Sequence, residues 1–278
     1  MAVFAIALGI LLGQDTREAA SLYERTEYQS ALTLLQTAKA PGAPQLALMG
    51  KCHLMLGDYK KATQEFQKAV SLDSRNSDYM LWLGRTWGRR AETASPLVAP
   101  GNAAKARDSF EQALQLDPNN RDAMGDLFDY YLDAPGFLGG GADKAEALAQ
   151  RIEAIDPPEG HFLLSEVARK RKQPSDAERE LRLAVKMGPT QVGHVIALAR
   201  FLARQSRLKE SDAVLAQAER VAPGNPRVIY AKASIFIEAH RNIEQAKALL
   251  QTYLQSPLTP DDPPRAAAEK LLKTANGA

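Results

Sequence analysis

One spacing recurs seven times along the chain and constrains its fold more than any other feature. Ala62 is followed by Phe66 and Ala69, four and seven residues on, and then by SLDS. The same steps run from Ala106 to Phe110 and Ala113, from Ala145 to Ala149 and Ile152, and from Ala177 to Leu181 and Ala184. They return from Ser211 to Leu215 and Ala218, from Ala246 to Leu250 and Tyr253, and, near the start, from Ala31 to Leu35 and Ala38. Residues spaced this way share one face of an α-helix. Phased copies of one pattern predict equivalent helices that each bury the same stripe. The 46 Ala and 35 Leu of the 278 residues fit this, because both are strong helix formers and much of the Ala is positional.

A second helical stretch precedes the phased one. The clearest copy reads LALMGKCHLMLGDYKKATQEFQKAVSLD, with Gly50 ahead of Ala62 and the turn at Gly57-Asp58-Tyr59. Gly84 and Ala199 take the place of Gly50 in later copies. Small residues there, and at 62, 106, 145 and 177, let paired helices cross closely while large apolar residues fill between turns. Pro118, Pro157, Pro189 and Pro223 are expected to end the second helix, since proline lacks the amide and disfavours helix for the residue before it.

This set of positions resembles the tetratricopeptide repeat, a helix–turn–helix unit of about 34 residues. The repeats fall near 14–42, 43–76, 77–120, 121–157, 158–191, 192–225 and 226–257, with a capping helix near Pro264 to Thr274. The first copy has a shortened first helix, Ser74 stands where the proline is expected, and the seventh copy is stretched by about one residue. The resemblance implies an all-α, right-handed solenoid in which stacked repeats share one core. It also implies a non-catalytic scaffold that binds a protein or peptide in a concave groove lined by the first helices. The groove positions it implies are Lys51 and Met55, Arg85 and Arg89, Asp129 and Asp133, Glu166 and Lys170, and Arg200 and Arg204. Equivalent positions on neighbouring repeats should lie side by side: Arg85 by Asp129, Arg89 by Asp133, Asp133 by Lys170, Glu166 by Arg200. Such a ladder is either a set of half-solvated ion pairs, each worth about 0–1 kcal/mol, or a charge pattern that orients a charged peptide. The asparagine-and-basic set with which some family members clamp a chaperone's C-terminal carboxylate is not matched, because the leading groove position never carries Asn.

Two segments lengthen the pattern. From Gly84 to Ala106 the chain inserts RRAETASPLVAPGNAA, and from Phe128 to Ala145 it inserts DAPGFLGGGADKA. Both are read as loops, near 90–104 and 133–143, projecting from one edge of the array, where insertions often carry binding. The stretch APGFLGG also resembles a segment of exported bacterial tetratricopeptide proteins. Gly139-Gly140-Gly141 is not a phosphate-binding loop, because no strand precedes it and no hydroxyl follows Lys144. The bland expectation is a tight turn needing positive φ, with Phe137 and Leu138 tucked against the helix ends. Exposure of those two would instead mark a contact site at the loop edge.

Other candidates for chemistry fail on spacing. His53, His161, His194 and His240 sit in separate repeats with no partner at metal-ligand spacing, and each is read as a packing residue. The single cysteine, Cys52, excludes a disulfide framework and is read as a small core residue. Glu24 with Glu27, and Asp126 with Asp129, are read as solvated faces. Arg169-Lys170-Arg171-Lys172 should end a helix, followed by a capping box of Ser175 and Glu178. With 35 basic against 33 acidic residues and no aromatic interleaving, the chain carries no signature of nucleic-acid binding. No metal, catalytic residue or other cofactor is expected. An enzymatic or ligand-binding solenoid would need Asp133, Arg89 and Arg90 to converge at the two insertions. Met1 to Gly13, MAVFAIALGILLG, is too short to span a bilayer as a helix. It is either the apolar region of a secretory signal peptide, which would make the protein periplasmic or secreted and admit a role as an envelope assembly or transport accessory, or a buried first helix. No other stretch is apolar enough to span a membrane.

Overall fold

The computed structural model describes residues 15–259 and 262–276, so the apolar run at 1–13 lies outside the described residues. Within them the chain is helical, with no strand. Helix α1 covers 15–24. It is followed by α2 (Tyr28–Leu35), α3 (Ala43–Met55), α4 (Tyr59–Leu72), α5 (Ser77–Thr93), α6 (Ala99–Leu116) and α7 (Arg121–Asp133). A 3-10 turn at Gly136–Leu138 leads to α8 (Ala142–Glu153). Next come α9 (Pro157–Lys170), α10 (Pro174–Met187), α11 (Val192–Arg204), α12 (Leu208–Val221), α13 (Pro226–Glu238), α14 (Ile243–Gln255) and α15 (Arg265–Asn276). None of them is long and apolar enough to cross a membrane. The chain divides within α8, after Ala145, into two compact units.

In the first unit α3 packs on α4 and α5 on α6, and the phased positions form the seams. Ala62, Phe66, Ala69, Ala106, Phe110 and Ala113 are all buried. A side chain at Gly50 would collide with the ring of Phe66, and one at Gly84 with the ring of Phe110. The small residue of the first helix is thus a socket for the aromatic of the second. Burying each ring is worth about 1.5–3 kcal/mol. The first copy departs from the pattern: α2 ends at Leu35, so Ala38 falls beyond the helix and is only partly buried. Side chains of Asp58, Asn76 and Asn120 accept the first free amides of α4, α5 and α7, each cap contributing about 1 kcal/mol.

The second unit repeats the scheme with α9 on α10, α11 on α12 and α13 on α14. Ala177, Leu181, Ala184, Leu215, Ala218, Ala246, Leu250 and Tyr253 are buried. Ser211 replaces the usual alanine without penalty, because its buried hydroxyl donates to the Ala199 carbonyl at 2.8 Å. That bond marks the crossing of α12 over α11. Helix α15 caps the end: Ala268 and Ala275 join the cluster of Leu250 and Tyr253, and Arg265 donates to the Leu254 and Ser256 carbonyls.

Two expectations about helix ends are corrected. Pro157 does not stop a helix but opens α9, where the missing amide costs nothing. Ser175 makes no capping box: Pro174 and Ser175 already lie in α10, whose cap position is Gln173, and Glu178 turns instead to Arg182 and Arg207.

The expected loop over 90–104 is also corrected. Residues 90–93 belong to α5 and 99–104 to α6, leaving only 94–98 as the connection. Helix α5 has 17 residues where α3 and α7 have 13, and α6 has 18 where α4 has 14. The insertion is absorbed as about one extra turn on each helix. Pro100 is tolerated because it falls in the first turn of α6. The second insertion does remain a loop, between α7 and α8.

Candidate functional site

In the first unit a cavity of about 790 Å³ opens on the face formed by α3, α5 and α7. Met55, Tyr59, Arg85, Arg89, Asp129 and Tyr130 line it, so four of the groove positions read from the sequence meet there. Met55 is 49% exposed at its mouth.

The charge pairing differs from the expected ladder. Arg85 meets Asp126 at 2.5 Å and Asp122 at 3.2 Å, each one helical turn or more before the expected Asp129. Every Cα–Cβ bond leans toward its helix N-terminus, and the long Arg stem carries that lean further than an Asp does. Arg89 pairs with Glu92 of its own helix at 2.5 Å and lies over the Tyr59 ring. Burial pushes the Asp126 carboxyl above its ordinary value, and the Arg85 guanidinium offsets this only in part.

Trp82 is the residue that sequence reasoning missed. It stacks on Phe66, and both Lys51 Nζ and Arg85 Cζ sit over its ring, at 4.5 and 4.8 Å. Burial lowers the Lys51 ammonium, with Asp78 opposing. The available signal was helical spacing, which places Trp82 one turn from Arg85 on the same face.

The loop after α7 borders this site. Tyr130, a wall of the cavity, donates through its hydroxyl to the Leu138 carbonyl at 2.8 Å. Arg107 donates to the same carbonyl at 2.9 Å, and Lys144 to that of Gly139 at 2.9 Å. Gly139 has φ +88°, as the turn requires. A side chain at Gly140 would collide with the Ala134 carbonyl, so the turn must be glycine-rich to close. The loop is therefore tied down, yet Phe137 is 83% exposed and only Leu138 is partly buried. The tucked arrangement expected for Phe137 is not what the backbone gives. The 3-10 turn leaves its ring no helix surface to cover.

In the second unit Glu166, Arg200 and Arg204 line a separate cavity of about 750 Å³. The expected Glu166–Arg200 pair is replaced by Glu166–Arg169 at 2.5 Å, while Arg200 donates to Ser234 Oγ at 3.1 Å. Lys170 is exposed at the end of α9, and Asp133 is exposed at the end of α7, in the other unit.

Arg89 and Arg90 do not converge. Arg90 donates to Thr63 Oγ1 at 3.2 Å and lies over the Trp87 ring, away from Glu92 and Tyr59. The histidines also find partners that linear spacing hides. His161 Nδ1 lies 2.8 Å from Glu180, and His194 Nε2 lies 3.0 Å from Glu159 while its ring stacks on Phe162. His240 is not buried against a helix as expected: it is exposed, in the turn after α13. Cys52 is fully buried, and its burial pushes the thiol up to about 11. Among the described residues no group of three or more His, Cys, Asp or Glu is placed to hold a metal ion.

Comparison with known proteins adds the family. Residues 43–76 and 101–120 each match a model of the tetratricopeptide repeat. A tetratricopeptide repeat protein from Parabacteroides merdae superposes with a TM-score of 0.64 at 13% identity, covering 95% of this chain and 98% of the other. PilW, described as a widely conserved type IV pilus biogenesis factor, gives 0.56 at 16% identity, over 76% and 93%. A thermophilic repeat protein from Thermus thermophilus gives 0.54 at 20% identity, over 69% and 98%. At these identities the likeness is one of fold. No curated protein matches the sequence.

Proposed function

Because the chain is a tetratricopeptide repeat protein, we propose that it works as a non-catalytic scaffold that holds a peptide or protein partner on the face of its first helices. The supporting observation is the cavity of the first unit. It combines an apolar wall of Met55, Tyr59 and Tyr130 with charges of both signs, Arg85 and Arg89 against Asp126 and Asp129. Apolar surface supplies affinity, and paired charges set orientation and register. Phe137, held outward by a tied loop next to Tyr130, extends the surface to the loop edge. A preorganised aromatic of this kind binds with little ordering cost.

Arg89 is the position to test, being exposed and having its ion pair, to Glu92, within its own helix. The Arg89→Glu variant is expected to weaken capture of a partner isolated on the wild-type chain by about tenfold, with helix content by circular dichroism unchanged. A partner retained equally by both proteins would remove the reading.

A further inference from the structure

The cavity of the second unit differs in charge from that of the first. Its rim carries four cations, Arg169, Lys172, Arg200 and Arg204, against one carboxylate, Glu166. That carboxylate is already held by Arg169 at 2.5 Å. Among the described residues Arg200 meets only the neutral hydroxyl of Ser234. Lys172 and Arg204 are exposed, and among the described residues their side chains make no ion pair or hydrogen bond. Other arginines of the same unit do meet carboxylates: Arg171 meets Glu146 at 2.9 Å, Arg207 meets Glu178 at 2.5 Å and Arg241 meets Asp212 at 2.5 Å. Lys172, Arg200 and Arg204 thus bring three cations with no carboxylate partner among the described residues to one concavity, where low-dielectric walls focus their field.

The floor of the cavity is apolar, formed by Phe162, Ala177, Leu181 and Phe201. Both rings are partly buried, and Phe162 lies against His194 with centroids 4.9 Å apart. A nucleobase needs an open aromatic face, whereas an aliphatic or aromatic side chain needs only a hollow. We infer that this cavity binds an acidic peptide segment whose apolar side chain enters the Phe162–Phe201 floor while its carboxylates meet Arg200, Arg204 and Lys172. This rests on the scaffold reading above and specifies the partner chemistry for the second unit.

The test uses the full chain and fluorescence anisotropy of a labelled peptide of Asp and Glu residues flanking a central Leu-Phe pair. The same peptide with Lys for every acid, and a labelled oligothymidylate, serve as the alternatives. The acidic peptide is expected to bind at least about tenfold more tightly than either and to weaken as salt is raised. Arg204→Glu, at an exposed position, should cost about tenfold in affinity, while Arg89→Glu in the first unit should leave the acidic peptide's affinity unchanged. Equal binding of the basic peptide, preference for oligothymidylate, or an unaltered Arg204→Glu variant would each overturn the inference. If a captured partner responds to Arg89→Glu while the acidic peptide does not bind, this inference falls and the scaffold reading stands. If neither substitution affects any partner, both fall.

Discussion

Ser206 holds φ at +60° in the turn between α11 and α12. Thr26, Lys172 and His240 do the same between their own helix pairs, at the place where Gly57 stands in the second copy. The turn geometry recurs in these five copies, but only one of the five uses the residue that adopts it without strain. A side chain in this region costs about 1–2 kcal/mol, partly offset by the greater chain entropy that glycine loses on folding. Ser206→Gly is therefore expected to stabilise the protein by about 0.5–1 kcal/mol, read as a higher urea midpoint at unchanged slope. A lower midpoint would show that the serine is relaxed there. The same contrast governs what single residues revealed in advance. Small and large residues at the crossings were legible, because volume at a fixed helical phase is a property of the linear sequence. Arg85 with Asp126, the cations over Trp82 and the partners of His161 and His194 were not, because long side chains reach positions that only the packed helices bring near.

At the scale of elements, the phased pattern located the helix pairs, but not how an insertion is accommodated. Arg90 to Thr93 continue α5 because nothing in RRAET breaks a helix, and Pro100 starts α6 rather than interrupting it. Glycines at 139–141 did mark a true turn. The contact between α10 and α12 was also hidden, and it makes a four-member ion network. Arg207 bridges Glu178 at 2.5 Å and Glu210 at 2.7 Å, and Arg182 bridges Glu178 at 2.7 Å and Glu210 at 3.1 Å. Hydrogen bonding from Arg207, then from Arg182, holds the Glu178 carboxyl below the ordinary value of 4.5. A carboxyl depressed in the folded state contributes stability that is present above the unfolded value and lost as pH falls through the folded one. Thermal stability should therefore fall as the pH drops below about 4.5, more steeply for the wild type than for Glu178→Gln. Parallel pH profiles of melting temperature for the two proteins would show that the network contributes nothing.

At the scale of the whole chain, what matters is how far a local fault spreads. In each unit a helix packs on its sequence neighbour and on the helix two places along, as α5 does on α6 and α7, and α11 on α12 and α13. Stability in such an array is a sum of repeat and nearest-neighbour terms, so a lesion is felt mainly in its own repeat and the next. Ala106 is 2% exposed, and its carbonyl lies against Gly84 at the crossing of α5 and α6. Arginine at this position must either bury its charge or force the helices apart, at a cost of about 2–4 kcal/mol. Native-state hydrogen exchange of Ala106→Arg is expected to show lost protection across α5, α6 and α7, while α11 to α14 keep the wild-type rates. Uniform loss along the chain would mean that all repeats unfold as one cooperative block. Unchanged protection in α5 and α6 would mean that the crossing tolerates a side chain, contrary to the burial of every phased alanine from Ala62 to Ala246.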